Sequence, residues 1–223
     1  MTAGQSAGQG AGQRAGQGAP GAPPPREAFG TQRLTLVDRF GVWLSQRAIA
    51  RHLPPRNGLD ILGLGCGFQA KNLIALKSRV RRAVGIDFRV SDAARRVEGM
   101  EFIEGPIERA TAQLDAASFD AILFISVLEH LWDPVPVLRG CHDWLRPGGV
   151  LLVNAPTWLG KGALEYSAFR LGTSPKAEMD DHKMYYDKRD LWPLLVRAGF
   201  LPSRIRMNYH KFRLNLFAVA RKT

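Results

Sequence analysis

Cysteine is scarce: there are two in 223 residues, Cys66 and Cys141. Two isolated thiols supply neither the paired spacing of a metal site nor a disulfide framework, and they fit a reducing cytoplasm. Long apolar runs are missing as well. No window is continuously apolar for the ~18–20 residues that a membrane helix requires, so no membrane span is expected. The first residues lack the charged-then-apolar layout of a secretion signal. Acidic residues are outnumbered, 20 Asp and Glu against 31 Lys and Arg, giving a net charge of +11. The excess is dispersed over Lys77, Arg79, Arg81, Arg82, Arg89, Arg95, Arg96, Arg204, Arg206, Lys211 and Arg213. That dispersal fits a solvated basic surface. It also leaves open an anionic partner such as nucleic acid, an anionic membrane surface or a phosphate-linked sugar.

Residues 1–30 have little that could be buried. Ala-Gly-Gln recurs from Ala3, Ala7, Ala11 and Ala15, and a proline cluster runs from Pro20 to Pro25. A disordered tail is expected there, with the domain occupying 31–223. From Leu34 the spacing of Val37, Phe40, Trp43, Leu44, Ala48 and Leu53 predicts a helix, stopped by Pro54-Pro55.

Beyond Pro55 the chain alternates between strand and helix patterns. Strands are predicted at 59–64, 82–87, 100–104, 119–126 and 148–154, and helices at 69–77, 91–98, 107–114, 134–145 and 188–198. Such alternation implies a mostly parallel sheet covered on both faces. Two closing apolar runs, 202–209 and 213–220, read as a C-terminal antiparallel hairpin at the sheet edge. Asp187 with Asp190 reads as a helix N-cap with a first-turn acid, and Gly199 as a C-cap glycine. The fold class is α/β, a Rossmann-like doubly wound seven-stranded sheet.

The most informative stretch runs from Leu59 to Gln69. An apolar strand ends in Gly65-Cys66-Gly67, and an amphipathic segment follows at once. Such a turn lets a ligand approach bare backbone at a helix start. Asp87 closes the next apolar strand about 20 residues on, where a nucleoside-binding fold places an acid for ribose hydroxyls.

Four motifs in order carry a family resemblance. They are Gly65-Cys66-Gly67; Gly85-Ile86-Asp87; Phe119 to Leu123 followed by Val127-Leu128-Glu129-His130-Leu131; and Leu145-Arg146-Pro147-Gly148-Gly149-Val150-Leu151-Leu152-Val153. Together they resemble the class I S-adenosylmethionine-dependent methyltransferases. A nicotinamide dehydrogenase would typically carry G-x-G-x-x-G, whereas position 70 is Ala.

The resemblance implies S-adenosyl-L-methionine as cofactor and assigns roles residue by residue. Gly65, Cys66 and Gly67 would form the turn at its methionine part. Asp87 would accept from the ribose hydroxyls, Phe88 and Ile107 would flank the adenine, and Ser126 would supply backbone contacts. Three positions depart from the family pattern: Gly63 and Pro106 stand where acids are often found, and Gln69 replaces a third glycine.

Transfer to oxygen is helped by a group that removes a proton, which suits histidine. His130 follows the fourth strand at the cofactor end. His182 lies in His182-Lys183-Met184-Tyr185-Tyr186, similar to a histidine-plus-aromatic segment of small-molecule methyltransferases. These two are the candidate catalytic residues; His52 and His142 read as surface or packing residues, and His210 as exposed at the hairpin turn. Asp180, Asp181 and His182 are too few and too close to make a metal site alone, so no metal is expected. Trp158, Lys161, Glu165, Tyr166, Phe169 and Arg170 fit a substrate-pocket wall or an amphipathic helix equally. The expected activity is O-methylation of a small molecule or saccharide. The alternatives are an RNA or protein methyltransferase and a non-catalytic, methyltransferase-like binding module.

Overall fold

A computed structural model describes residues 36–166 and 181–223. The expectations for the N-terminal tail, and for Phe169, Arg170 and Asp180, lie outside the described residues, as do the side chains of Glu165 and Tyr166.

Seven strands form one sheet: β1 Leu59–Leu64, β2 Val80–Asp87, β3 Met100–Glu104, β4 Phe119–Ile125, β5 Leu145–Pro156, β6 Ile205–His210 and β7 Asn215–Arg221. Their order is β3-β2-β1-β4-β5-β7-β6. The first five are parallel; β7 runs antiparallel to β5, and β6 antiparallel to β7. The doubly wound sheet and its terminal hairpin therefore match the sequence pattern. All six residues of β1 are buried, as expected of a parallel strand covered on both faces. Side chains alternate between two cores. Leu62, Val84, Ile122 and Leu151 belong to one, and Ile61, Ala83, Ala121 and Leu152 to the other.

The helices are α1 Leu36–His52, α2 Lys71–Ile74, α3 Asp92–Arg95, α4 Ile107–Ala110, α5 Val135–Trp144, α6 Trp158–Tyr166 and α7 Lys188–Arg197. The second, third and fourth are shorter than their apolar spacing predicts. After Ile74 the N–H groups of Leu76, Lys77 and Arg79 bond the carbonyls of Leu73, Ile74 and Leu76. These three-residue turns end the helix early and deliver the chain to β2. The stripe on α1 is also corrected. Ser45, Ile49 and Leu53 face inward, while Phe40 and Trp43 stack on each other at 5.7 Å on the outside. His210, expected to be exposed at the hairpin turn, is instead half-buried, because its ring packs against Phe217. The α7 capping box is present: Asp187 donates its backbone N–H to Asp190 Oδ2 at 2.8 Å. Gly199 closes that helix at φ 106°.

Two buried acids fasten the amino ends of β1 and β4. Asp120 Oδ2 accepts the Asp60 N–H at 2.9 Å, and Arg56 reaches Asp120 Oδ1 at 2.7 Å. Arg146 bridges both carboxylates at 2.8 and 3.1 Å, and Arg81 also pairs with Asp60. The polar clamp holds one end of the sheet, and the opposite, carboxyl end carries the candidate site.

Candidate active site

The strand order reverses between β1 and β4, and in open α/β sheets ligands bind at the carboxyl ends beside that reversal. The glycine turn lies there. Gly65 and Gly67 have φ of 61° and 78°, a region open to glycine at little cost. A Cβ on Gly65 would sit 2.2 Å from Val127 Cγ2, so the turn is packed directly against the segment after β4. Cys66 donates its N–H to the Ile86 carbonyl at 3.0 Å, and burial pushes its thiol far up. Cys66 is therefore a space-filler, packed near Phe102 behind Gly85.

Asp87 is buried at the end of β2. Its Oδ2 accepts the Gly67 N–H at 2.7 Å and its Oδ1 the Phe88 N–H at 2.8 Å. Burial raises its pKa, opposed by the N–H groups of Gly67, Phe88 and Arg89. Each carboxylate oxygen has more than one lone pair, so a further donor could be accepted beside these backbone groups. Phe88 is partly exposed next to it, and Ile107 is buried at the start of α4 behind Gly105, at whose Cβ position there is open space. Ser126 follows β4 in a left-handed conformation, φ 56°, donating its N–H to the Asn154 carbonyl at 2.7 Å. Asn154 is fully buried, and its Oδ1 has no hydrogen-bond partner among the described residues. These features fit a nucleoside and amino-acid ligand: a buried carboxylate with spare acceptor capacity, bare glycine backbone, and an orphaned buried acceptor.

The three departures have physical accounts. A Cβ on Gly63 would lie 2.9 Å from Leu73 Cδ1, so the space an acid would need is filled by the following helix. Gln69 needs no left-handed backbone, because Ala70 takes that conformation instead at φ 46°. Pro106 stands at the N-cap of α4 and offers no side-chain cap.

The second half of the site surrounds the turn Leu128–His130. Glu129 is buried; its Oε2 has no hydrogen-bond partner among the described residues, and burial pushes its pKa up to about 8. The Glu129 carbonyl accepts the Lys183 N–H at 2.6 Å, so the segment before α7 is docked backbone to backbone onto this turn. Tyr186 anchors the same segment, giving its N–H to the Pro156 carbonyl at 2.9 Å.

The docking brings His182 against His130, with ring centroids 4.9 Å apart. His130 Nδ1 lies 2.9 Å from Asp181 Oδ2, and His182 Nδ1 lies 3.1 Å from the Tyr185 hydroxyl. Burial and the neighbouring His130 lower His182 to about 4, so it is neutral at physiological pH. Trp158 packs on Tyr185 at 5.6 Å and closes this side. The structure thus brings together the two histidines that the sequence singled out. Glu129 and Tyr185 join them. Glu129 stands within the Val127–Leu131 motif, but nothing in the sequence marks it as buried without a partner.

A reversed parallel sheet, a glycine turn and an acid closing the second strand define a Rossmann-like nucleoside-cofactor domain. Residues 62–153 match the methyltransferase domain family. Over its described sheet the chain is similar to S-adenosylmethionine-dependent methyltransferases. A Mycobacterium tuberculosis protein named a probable S-adenosylmethionine-dependent methyltransferase is 28% identical over 192 residues, 83% of this chain and 65% of its own length. A ubiquinone biosynthesis O-methyltransferase of Methylocella silvestris is 34% identical over 158 residues, 66% of this chain and 60% of its own length. A crystal structure of a methyltransferase from Archaeoglobus fulgidus superposes with a TM-score of 0.60 at 14% identity, covering 82% of this chain and 94% of that one. At that identity the likeness is one of fold. The chain spans less than two thirds of the length of these two curated relatives. Among the described residues, no helix is long and apolar enough to cross a membrane.

Proposed function

We propose that this protein transfers the methyl group of S-adenosylmethionine to an oxygen of a small molecule or saccharide. The observation that carries the reading is the meeting of two half-sites at one sheet edge: the glycine turn fastened to Asp87, and the His130–His182 pair under the docked segment. The relative named for ubiquinone O-methylation supports oxygen as the acceptor. Residues 31–223 form the catalytic domain, with residues 1–30 a tail outside it. The two free, buried or half-buried thiols fit a cytoplasmic location.

When bound, S-adenosylmethionine supplies a methyl group already activated by its sulfonium charge. The protein's own residues hold, align and shield. Asp87 accepts from the ribose hydroxyls, with Phe88 and Ile107 beside the adenine. The backbone of Gly65, Cys66 and Gly67 and of Ser126 lines the amino-acid part. The segment from Asp181 to Tyr186, fixed to Glu129 and Pro156 by backbone bonds, excludes water and orders the acceptor, which supplies much of the rate. His130 and His182 meet the acceptor hydroxyl; Asp181 holds one ring and Tyr185 the other.

Titrating S-adenosylhomocysteine into the wild-type chain tests the cofactor half, with saturable binding expected. Thioether release from S-adenosylmethionine across a panel of hydroxylated acceptors then tests the acceptor half. An RNA substrate is the second reading, favoured by the net charge of +11; RNA affinity falling steeply with salt would support it.

A further inference from the structure

We propose that Glu129, His130 and His182 form a binding site for one divalent transition-metal cation of the zinc type, placed at the acceptor side of the methyl-transfer site. One carboxylate and two imidazoles offer ligand atoms that all lie within 4.8 Å of one another. A carboxylate with two histidines is a donor set suited to zinc and its first-row neighbours, and three protein ligands leave positions open for a further oxygen.

A second observation points the same way. Glu129 is 2% exposed, and its Oε2 has no hydrogen-bond partner among the described residues. A buried carboxyl oxygen without a donor is costly, and a cation is the partner that this cluster of acceptors can share.

The surroundings resemble the outer shell of a metal centre. Metal-bound histidines commonly engage their other ring nitrogen with a carboxylate or another polar group, which fixes the ring. Here Asp181 holds Nδ1 of His130 at 2.9 Å and the Tyr185 hydroxyl holds Nδ1 of His182 at 3.1 Å. The Lys183 ammonium, carried on the same segment, is turned to Asp181 Oδ1 at 3.2 Å and over the Trp132 ring. Ligand bonds of about 2.1 Å imply ligand separations of about 3.4 Å for a tetrahedral ion. The widest separation must therefore tighten by about 1.4 Å on binding.

The inference rests on the proposed reaction and refines it: the two histidines act as ligands, and the cation lowers the pKa of the acceptor hydroxyl that fills an open position. It also revises the expectation, from the spacing of Asp180, Asp181 and His182 alone, that the chain holds no metal.

The test titrates Zn2+, Co2+ and Mn2+ separately into the full chain after removal of metal by chelator dialysis. Heat is followed for all three, and visible absorption for Co2+. One saturable site per chain is expected for Zn2+ or Co2+, weakened at least tenfold in Glu129→Gln and in His182→Ala and unchanged in His52→Ala. His182→Ala alters the docked segment and leaves the core intact, so it reports even where Glu129→Gln fails to fold. Absence of saturable binding of all three ions overturns the proposal, as does binding unchanged in His182→Ala. S-adenosylhomocysteine is titrated into the same samples. Its binding without any metal site overturns the cation proposal alone; a metal site without its binding overturns the methyltransferase reading alone.

Discussion

Gly67 donates its backbone N–H to Asp87 Oδ2 at 2.7 Å, so one carboxylate both closes the second strand and fastens the turn after the first. The two duties separate by mutation. Asp87→Ala removes the anchor and the acceptor together. We expect S-adenosylhomocysteine affinity to fall at least tenfold, since hydrogen bonds to a charged group contribute about 1.5–3 kcal/mol. Asp87→Asn keeps an acceptor of the same shape and should fall between mutant and wild type. Calorimetric titration reads the affinities, and unchanged binding in Asp87→Ala would refute the ribose role.

The contact between Gly65 and Val127 predicts a coupled pair. Gly65→Ala places a methyl group 2.2 Å from Val127 Cγ2 at φ 61°. Overpacking and a left-handed alanine each cost about 1–3 kcal/mol. Val127→Ala opens the space and leaves only the backbone cost. Chemical denaturation of the two single variants and the double variant should show a coupling of at least about 0.5 kcal/mol. Strict additivity would mean that the turn does not rest on Val127.

The clamp at the other end of the sheet predicts an acid limit to stability. Burial alone would raise Asp60, but the Arg81 and Arg146 guanidinium groups outweigh it and hold the carboxyl below its ordinary value. The unfolded chain therefore binds a proton to this residue at a higher pH than the folded chain does. The clamp's contribution is complete above the ordinary aspartate range near 4 and drains away as pH falls through the lower folded value. Thermal melts of wild type between about pH 2 and 6 should show this slope. Asp60→Asn should flatten it and lower the melting temperature at neutral pH.

Sequence pattern and structure agree where hydrophobic period decides the outcome. The strand bounds predicted at 59–64 and 100–104 coincide with β1 and β3, because buried parallel strands are near-continuous apolar runs between turn residues. The pattern overstates α2 and α3, since apolar spacing does not reveal that the chain tightens into short turns after one helical turn. It also turns Phe40 and Trp43 inward, although Leu53 of that stripe is buried and Ile49, which the stripe leaves out, is fully buried. The cofactor side of the site is legible because glycine pairs and a strand-end acid are rare local signals. The acceptor side is half legible. His182 is marked by its segment, but the contact that seats it is the Lys183 N–H on the Glu129 carbonyl, and backbone docking leaves no trace in side-chain sequence. The Asp60–Asp120–Arg146 clamp is hidden for a related reason: its members lie far apart in the chain and meet only through strand register.

The seating of His182 yields the prediction that bears most directly on chemistry. His182 stands between His130 and Tyr185. Loss of its imidazole should therefore act on the acceptor step and spare the cofactor. In His182→Ala we expect S-adenosylhomocysteine affinity within about twofold of wild type, and kcat for a hydroxylated acceptor lowered by about 10²–10⁴, the range for loss of a proton-handling group. Tyr185→Phe removes only the hydroxyl that holds His182 Nδ1 and should give a smaller drop, with the melting temperature little changed. Steady-state kinetics with separate variation of cofactor and acceptor distinguish the two effects. A rise confined to the KM for S-adenosylmethionine would place His182 at the cofactor instead, and full activity in His182→Ala would remove it from the reaction.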